Sequence, residues 1–381
     1  MTEKLYERDP YATAFTATVL GAEEGKDGWR IRLDATAFFP CEGGQGADRG
    51  TLGTANVLDV RLEGGELYHI TDIPLAVGET VEGVLDAERR LRHMRTHTAE
   101  HILSGVLFSL YGTKNVGFHL GESEVTLDLD LPLTEAEVAA AEEAANRAIL
   151  ENRAVRILWP TPDELATLTY RAKLDLAEGV RLVEIDGVDL CACCAPHVAR
   201  TGECGLLKVT GYMHYKGGVR LHIAVGLDAL ADYRQKQETV HNASVALSLP
   251  EERVTEGLAR LFDTIAEGKR AMAELRAALR RERISSLLAT GGRALVLEDI
   301  TPADLRPYAE EAAERAGGRV LILLPEEGGV RYAVASPVED VRPLGNALHT
   351  ALGGRGGGKP PLVQGSIPAD AAAVLAVWEG L

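Results

Sequence analysis

No stretch of this 381-residue chain stays apolar for the roughly 20 residues that a helix needs to cross a bilayer. The opening MTEKLYERDP is too polar for a secretory signal. Together these absences leave a cytosolic protein, without a membrane partner, as the expectation. Positive charge is in deficit too. The formal net charge of −17 argues against a protein that coats nucleic acid with its whole surface, although local basic patches would still bind it. An even set of cysteines is also missing. There are five, and Cys191, Cys193, Cys194 and Cys204 crowd into one short stretch, which in a cytosolic chain points to metal or reactive thiols rather than disulfides. There is no internal repeat, and no low-complexity tract beyond GGRGGGKP, which reads as a glycine loop.

What is present is ordinary for a folded protein, with 46% hydrophobic and 25% charged residues and a length that suits two or three domains. The expected class is α+β. Residues 1–85 alternate with period two in WRIRLDATAFF and ANVLDVRL, with EGGQG and EGGE as turns, so a β-barrel is expected there. Residues 86–227 read as an α+β domain. A long helix carries Leu91, Met94, Ile102, Leu103, Val106 and Leu107 on one face, Thr134 and Glu137 form a capping box ahead of a second helix, and strands follow near 154–158, 180–186, 206–212 and 219–225. Residues 228–290 read as a helical hairpin broken at Pro250. Its heptad stripe of Leu258, Leu261, Ile265, Met272, Leu275 and Leu279 is expected to pack within the hairpin. Residues 291–381 alternate strand and helix and read as a small α/β domain.

Two basic patches stand out. One holds Arg89, Arg90, Arg92 and Arg95. The other spans 269–283, where six basic residues face two acidic ones for a net +4. Taken singly, each patch reads first as a solvated helix face.

The chemistry concentrates elsewhere. His97 and His101 are four residues apart on a helix, which puts their rings about 5–6 Å apart on one face. Cys193 and His197 repeat that spacing in the turn-rich CACCAPHVARTGECG. Three imidazoles and one thiolate are a good donor set for zinc. Two other readings use the same residues. HTAEH is a literal H-x-x-E-H, the inverted zinc-protease pattern, with Glu100 as base and Glu178 as third ligand. That reading leaves the Cys/His cluster without a role. An all-cysteine zinc site would need two separated C-x2-C pairs, which the cysteines lack, and would leave both helical histidines idle.

HTAEHIL, the Cys193-to-His197 pair followed by TGECG, and FFPCEGGQGADRG together resemble the editing domain of alanyl-tRNA synthetases and the freestanding AlaX trans-editing proteins. GGRGGGKPPLVQGS is similar to the C-terminal domain of the same synthetases, so the resemblance covers nearly the whole chain and fits the long form of AlaX. It departs from the family where Cys194, Ala195 and Pro196 replace the usual Gly-Gly-Thr, giving a Pro-His-Val closer to the threonyl-type editing domain. Phe39, Cys41 and Glu42 depart in the GGQ segment.

The resemblance implies a zinc-dependent hydrolase that cleaves the ester of mischarged tRNA(Ala), with His97, His101, Cys193 and His197 holding the metal. It implies Thr36 and Gln45 as polar contacts to the aminoacyl group. Glu100, on a helix face about 100° from His101, is the candidate base. Arg89, Arg92 and Arg95 beside the zinc, with Arg355 and Lys359 in the glycine run, would meet the tRNA. GGRGGGK also imitates a phosphate-binding G-x4-G-K, but Pro360 stands where Ser or Thr should bind magnesium, so nucleotide hydrolysis is not expected. The chain has no Asp-His-His triplet and no room for an aminoacylation domain ahead of the barrel, so neither phosphoesterase nor charging activity is expected. The C-terminal region and the heptad stripe could pair two chains into a homodimer.

Overall fold

The computed structural model describes residues 2–172 and 179–381. The α+β composition is the expected one, and the chain divides into two compact units, Met1–Asn242 and Ala243–Leu381.

The first unit begins with a closed antiparallel barrel. Its strands run in the order Ala14–Gly25, Gly28–Leu33, Glu66–Thr71, Ala55–Glu63, Gly50–Leu52 and Thr80–Leu85, the last pairing back onto the first. Period-two alternation turns Val81, Gly83 and Leu85 inward and leaves Thr80, Glu82 and Val84 exposed. Val19, Ile31, Leu33, Leu52, Val57 and Val60 fill the interior.

Next comes the helix Ala87–Tyr111. Asp86 caps its first turn by accepting from Arg89 N, and Gly112 ends it in the left-handed region at φ 69°. Residues 96–105 are all buried. One side of the helix packs Met94, Ile102, Leu103 and Leu107 against the helix Glu135–Leu150 and a four-stranded sheet. That sheet runs Leu207–Tyr215, Gly218–Val225, Val125–Leu129, Asn115–Leu120, antiparallel throughout. A three-stranded sheet of Val155–Leu158, Leu182–Ile185 and Asp189–Ala192 approaches another side. The capping box at Thr134 and Glu137 is formed. The two strands at 115–129, unassigned by the sequence reading, occupy two adjacent positions in this sheet, and VTLDLDL carries the alternation that marks one of them.

Where a hairpin is expected, the chain forms the helices Leu227–Leu247 and Val254–Ala289, separated at Pro250 by a short 3-10 turn. The expected covering of the heptad stripe is absent among the described residues. Leu258, Leu261, Ile265, Met272, Leu275 and Leu279 are all exposed, and of the longer helix only Gly257 and Ile284 are buried. A heptad stripe marks a face that can be covered, and within the described residues it is not.

In the second unit a five-stranded sheet runs Ala294–Val296, Val320–Glu326, Gly329–Ala335, Leu362–Ile367, Arg355–Lys359. Only the first pair is parallel, so the expected α/β alternation is corrected to a mixed, mainly antiparallel sheet. Alternate residues serve opposite faces. Ile322 and Leu324 meet Tyr308, Ala309 and Ala312 of the helix Leu305–Ala316, while Leu321 and Leu323 meet Leu348, Val374 and Trp378 on the other side. The glycine run, expected as a loop, is the edge strand Arg355–Lys359, paired to Leu362–Ile367. Gly356, Gly358 and Gly365 permit that pairing, because a Cβ at any of them would lie within 2.4 Å of the neighbouring strand's backbone.

Candidate metal centre

His97 and His101 leave the buried middle of the Ala87–Tyr111 helix on the side opposite Ile102 and Leu103 and face the turn after the strand Asp189–Ala192. There His197 and Cys193 join them. One ligand atom from each of these four residues lies within 4.8 Å of the other three. Ring centroids are 5.2 Å apart for His97 and His101, 4.9 Å for His97 and His197, and 4.7 Å for His101 and His197. A tetrahedral zinc with N and S ligands sets its N···S edges at about 3.6 Å. Cys193 Sγ is 3.6 Å from His97 Nε2 and 3.4 Å from His197 Nε2, so the donor set fits such an ion.

The three rings are held from behind. His97 Nδ1 lies 2.9 Å from Gln45 Oε1, His197 Nδ1 lies 2.9 Å from Thr98 Oγ1, and His101 Nδ1 faces Asp189 Oδ2 at 3.3 Å. With an oxygen near each Nδ1, a proton on that nitrogen would leave Nε2 with its lone pair for a metal. Burial opposes ionisation of the Cys193 thiol, yet His97 and His197 hold it well below its ordinary value of 9.0, as a thiolate ligand requires. Burial likewise opposes a charge on His101, but Cys191, Asp189 and Cys193 raise it well above 6.5.

Gln45 reaches His97 because of the turn that presents it. Glu42 and Gln45 bond each other's backbone across Gly43 and Gly44, at φ +64° and +84°. Gly44 O accepts from Leu120 N at 2.7 Å, and a Cβ on Gly44 would sit 2.2 Å from Phe118 O, so only glycine lets the barrel turn dock on this strand. Gln45 is buried, and its Nε2 has no hydrogen-bond partner among the described residues.

Glu100 lies closer to the cluster than its place on the helix suggested. Its Oε1 accepts from Ser104 Oγ and from Asn115 Nδ2, which turns Oε2 to 3.9 Å from His101 Nε2. Thr36 is placed differently. It is fully buried in the barrel, with its Oγ1 2.8 Å from His69 Nε2 and accepting from Phe38 N. His69 Nδ1 faces Ile31 O, so Nε2 is the acceptor and the Thr36 hydroxyl gives its proton to it.

His69 also yields a prediction. Burial holds its pKa at about 4 instead of 6.5. Below pH 6.5 the unfolded chain takes up a proton that the folded chain refuses until about pH 4. Stability contributed by the neutral ring is therefore complete above pH 6.5 and falls by about 3 kcal/mol on acidification through that window. Urea midpoints measured against pH should show this acid limb, and His69→Gln should flatten it by about one proton. An unchanged limb in the variant would place the lost stability elsewhere.

The first arginine patch is not a solvated face. Arg90 is buried on Asp48, Arg89 pairs with Glu122 and Ala47 O, and Arg92 bonds Asp228 with the carbonyls of Gly121 and Glu122. Arg95 is half-buried with its Nε unpartnered. In the second patch Arg280 pairs with Glu311 and Arg283 with Asp299. Arg355 and Lys359, in contrast, are exposed on the edge strand. Glu178 falls outside the described residues. Sequence reasoning missed Asp189, Arg171, Thr98, Asn115 and His69, all of which act through partners distant in the chain.

Residues 180–222, which include Cys193 and His197, match the family described as the threonyl and alanyl tRNA synthetase second additional domain. The chain is 30% identical over 378 residues to alanine–tRNA ligase of Ignicoccus hospitalis, covering 94% of this chain and 40% of the ligase. For the Pyrococcus furiosus ligase the figures are 29% over 386 residues, 96% and 42%. The alanyl-tRNA editing protein Aarsd1 of Mus musculus is 34% identical over 224 residues, 54% of each chain. These likenesses support an AlaX-type alanyl-tRNA editing protein. It spans about two fifths of the length of the ligases it matches. The AlaX-type resemblance was legible in the residues that build the cluster and its Gln45 turn.

Proposed function

We propose that the chain is a zinc-dependent trans-editing hydrolase that releases serine or glycine from mischarged tRNA(Ala). The proposed organisation is a barrel over 1–85, a zinc editing domain over 86–227, a helical linker over 228–290 and a tRNA-binding domain over 291–381. The observation that carries this reading is the buried meeting of His97, His101, Cys193 and His197, in a chain related to alanyl-tRNA editing proteins, with Gln45 behind His97 and Glu100 Oε2 3.9 Å from His101 Nε2.

Bound there, zinc would supply positive charge that anchors the aminoacyl group, a role that suits four protein ligands better than attack through an open position. Water adds to the ester carbonyl, the carbonyl–oxygen bond to the terminal ribose breaks, and the ribose oxygen takes a proton. Glu100, fixed by Ser104 and Asn115 with Oε2 free, accepts the proton from the water and returns it to the leaving oxygen. Gln45 Nε2, buried and without a hydrogen-bond partner among the described residues, donates to the carbonyl oxygen as negative charge grows on it. Thr36 Oγ1 donates a hydrogen bond to His69 and already accepts one from Phe38 N, so toward a seryl hydroxyl it would act through its remaining lone pair as an acceptor, which offers alanine nothing. A site that bonds a hydroxyl can reject the analogue lacking it by roughly 10⁴, because its own polar groups would be left unpaired. Exposed Arg355 and Lys359 serve as phosphate contacts.

Serine release from seryl-tRNA(Ala) should far exceed the spontaneous rate, with alanyl-tRNA(Ala) spared. Release at the spontaneous rate would leave a non-catalytic tRNA-binding module with structural zinc, the reading that the closed four-residue donor set also favours. Thr36→Val should narrow the preference for seryl over alanyl substrate by about tenfold. An unaltered preference would remove Thr36 from the site.

A further inference from the structure

Behind His101, on the side away from Cys193, lies a group of residues that the hydrolytic reading does not use. Asp189 is buried, and both its oxygens are taken by Arg171, Nε to Oδ1 and Nη2 to Oδ2, each at 2.7 Å. Its Oδ2 also faces His101 Nδ1 at the ion-pair distance of 3.3 Å, and that buried nitrogen makes no hydrogen bond to any of the described residues, so the carboxylate is the group nearest to satisfying it. Cys191 completes a second cluster there with Asp189 and His101. A cation between them is excluded by charge, because the Arg171 guanidinium already neutralises the carboxylate and would repel a second positive ion at this range.

The approach of this strand to the helix is built in. Gly105 lies one helical turn beyond His101, and a Cβ there would stand 2.7 Å from Val188 O and 2.8 Å from Asp189 Cβ. Any larger residue would push Asp189 away from the ring. The other two histidines face neutral oxygens, Gln45 Oε1 and Thr98 Oγ1, so His101 alone of the three is backed by a carboxylate.

We propose that Asp189, held in place by Arg171, is a positioning residue for the metal centre: when the ion is bound it accepts a hydrogen bond from His101 Nδ1–H, fixes the ring with Nε2 toward the metal, and strengthens the ligand. A carboxylate behind a metal-binding histidine strengthens metal affinity by about 10–100-fold. Arg171 keeps the carboxylate from becoming a ligand itself. The inference rests on the metal reading of the cluster and adds to it the determinant of how tightly the ion is held.

Zinc affinity by chelator competition and the visible spectrum of the cobalt-substituted protein test it together. Removing Asp189 alone would strand Arg171, so the main variant is the double exchange Arg171→Met with Asp189→Leu, which keeps the volume apolar. It should fold, bind zinc about 10–100-fold more weakly, and show a shifted cobalt band. Asp189→Asn with Arg171→Met, which retains an uncharged acceptor without stranding the guanidinium, should recover part of the loss. A folded double variant with wild-type affinity and an unchanged cobalt spectrum would overturn the inference while leaving the metal site standing. A wild-type chain that takes up neither ion would instead remove the metal reading beneath it.

Discussion

Exchange of Cys193 or His101 for alanine is expected to lower serine release from seryl-tRNA(Ala) by more than about 100-fold, since loss of even an outer partner of a metal ligand costs 10–100-fold. The two changes act on one object. Cys193 Sγ sits within 3.6 Å of two of the histidines, and a thiolate there balances the charge of the ion they share. Chelator should inactivate the wild type, and zinc should restore it but not the variants. Cys41→Ala, at an exposed thiol, should retain wild-type activity. The protease alternative is separated by the same proteins: it requires peptide cleavage that survives Cys193→Ala and vanishes with Glu100→Gln. Deacylation undiminished in Cys193→Ala would end the four-residue account.

The largest effect on stability is expected at Arg90 and Asp48. Both side chains are 1% exposed. Arg90 Nε bonds Asp48 at 3.1 and 3.2 Å, Nη1 reaches Pro10 O at 2.9 Å, and Nη2 reaches Ala37 O and the carboxylate. Asp48 also accepts from Phe39 N at 2.7 Å. One ion pair thereby ties the start of the long helix to the N-terminal segment and to the barrel loop that continues into the Gln45 turn. Breaking a buried pair leaves a lone charge in the interior and costs about 3–5 kcal/mol, whereas replacing both members by apolar side chains is often close to neutral. Arg90→Ala and Asp48→Ala should each lower the unfolding free energy from urea titration by an amount in that range, and Arg90→Met with Asp48→Leu should lower it far less. Equal losses in the single and double variants would show that the pair's hydrogen bonds, rather than its stranded charge, carry the effect.

Much of the site was readable before the fold because its elements are local. A spacing of four on a helix places His97 beside His101 whatever the surroundings, and Cys193 and His197 repeat it. The capping box at Thr134 and the turn at Gly43 and Gly44 are equally short-range. What escaped the sequence depends on partners far along the chain. Arg89, Arg90 and Arg92 read as a basic face, because spacing reveals charge but not the carboxylates of Asp48, Glu122 and Asp228 that absorb it. Asp189 and Arg171 carry no mark beyond being charged residues in a strand-rich stretch. The glycine run was read as a loop because glycine is depleted in strands. It forms an edge strand because its neighbour approaches too closely for a Cβ. The heptad stripe was correctly seen as apolar, but periodicity does not say what covers it.

The central claim is that one ion is held by three imidazoles and one thiolate drawn from two distant parts of the chain. X-ray absorption at the zinc edge of the purified protein tests this directly. The account predicts one sulfur at about 2.3 Å and three nitrogens at about 2.0–2.1 Å. A shell without sulfur, or with several, would contradict it.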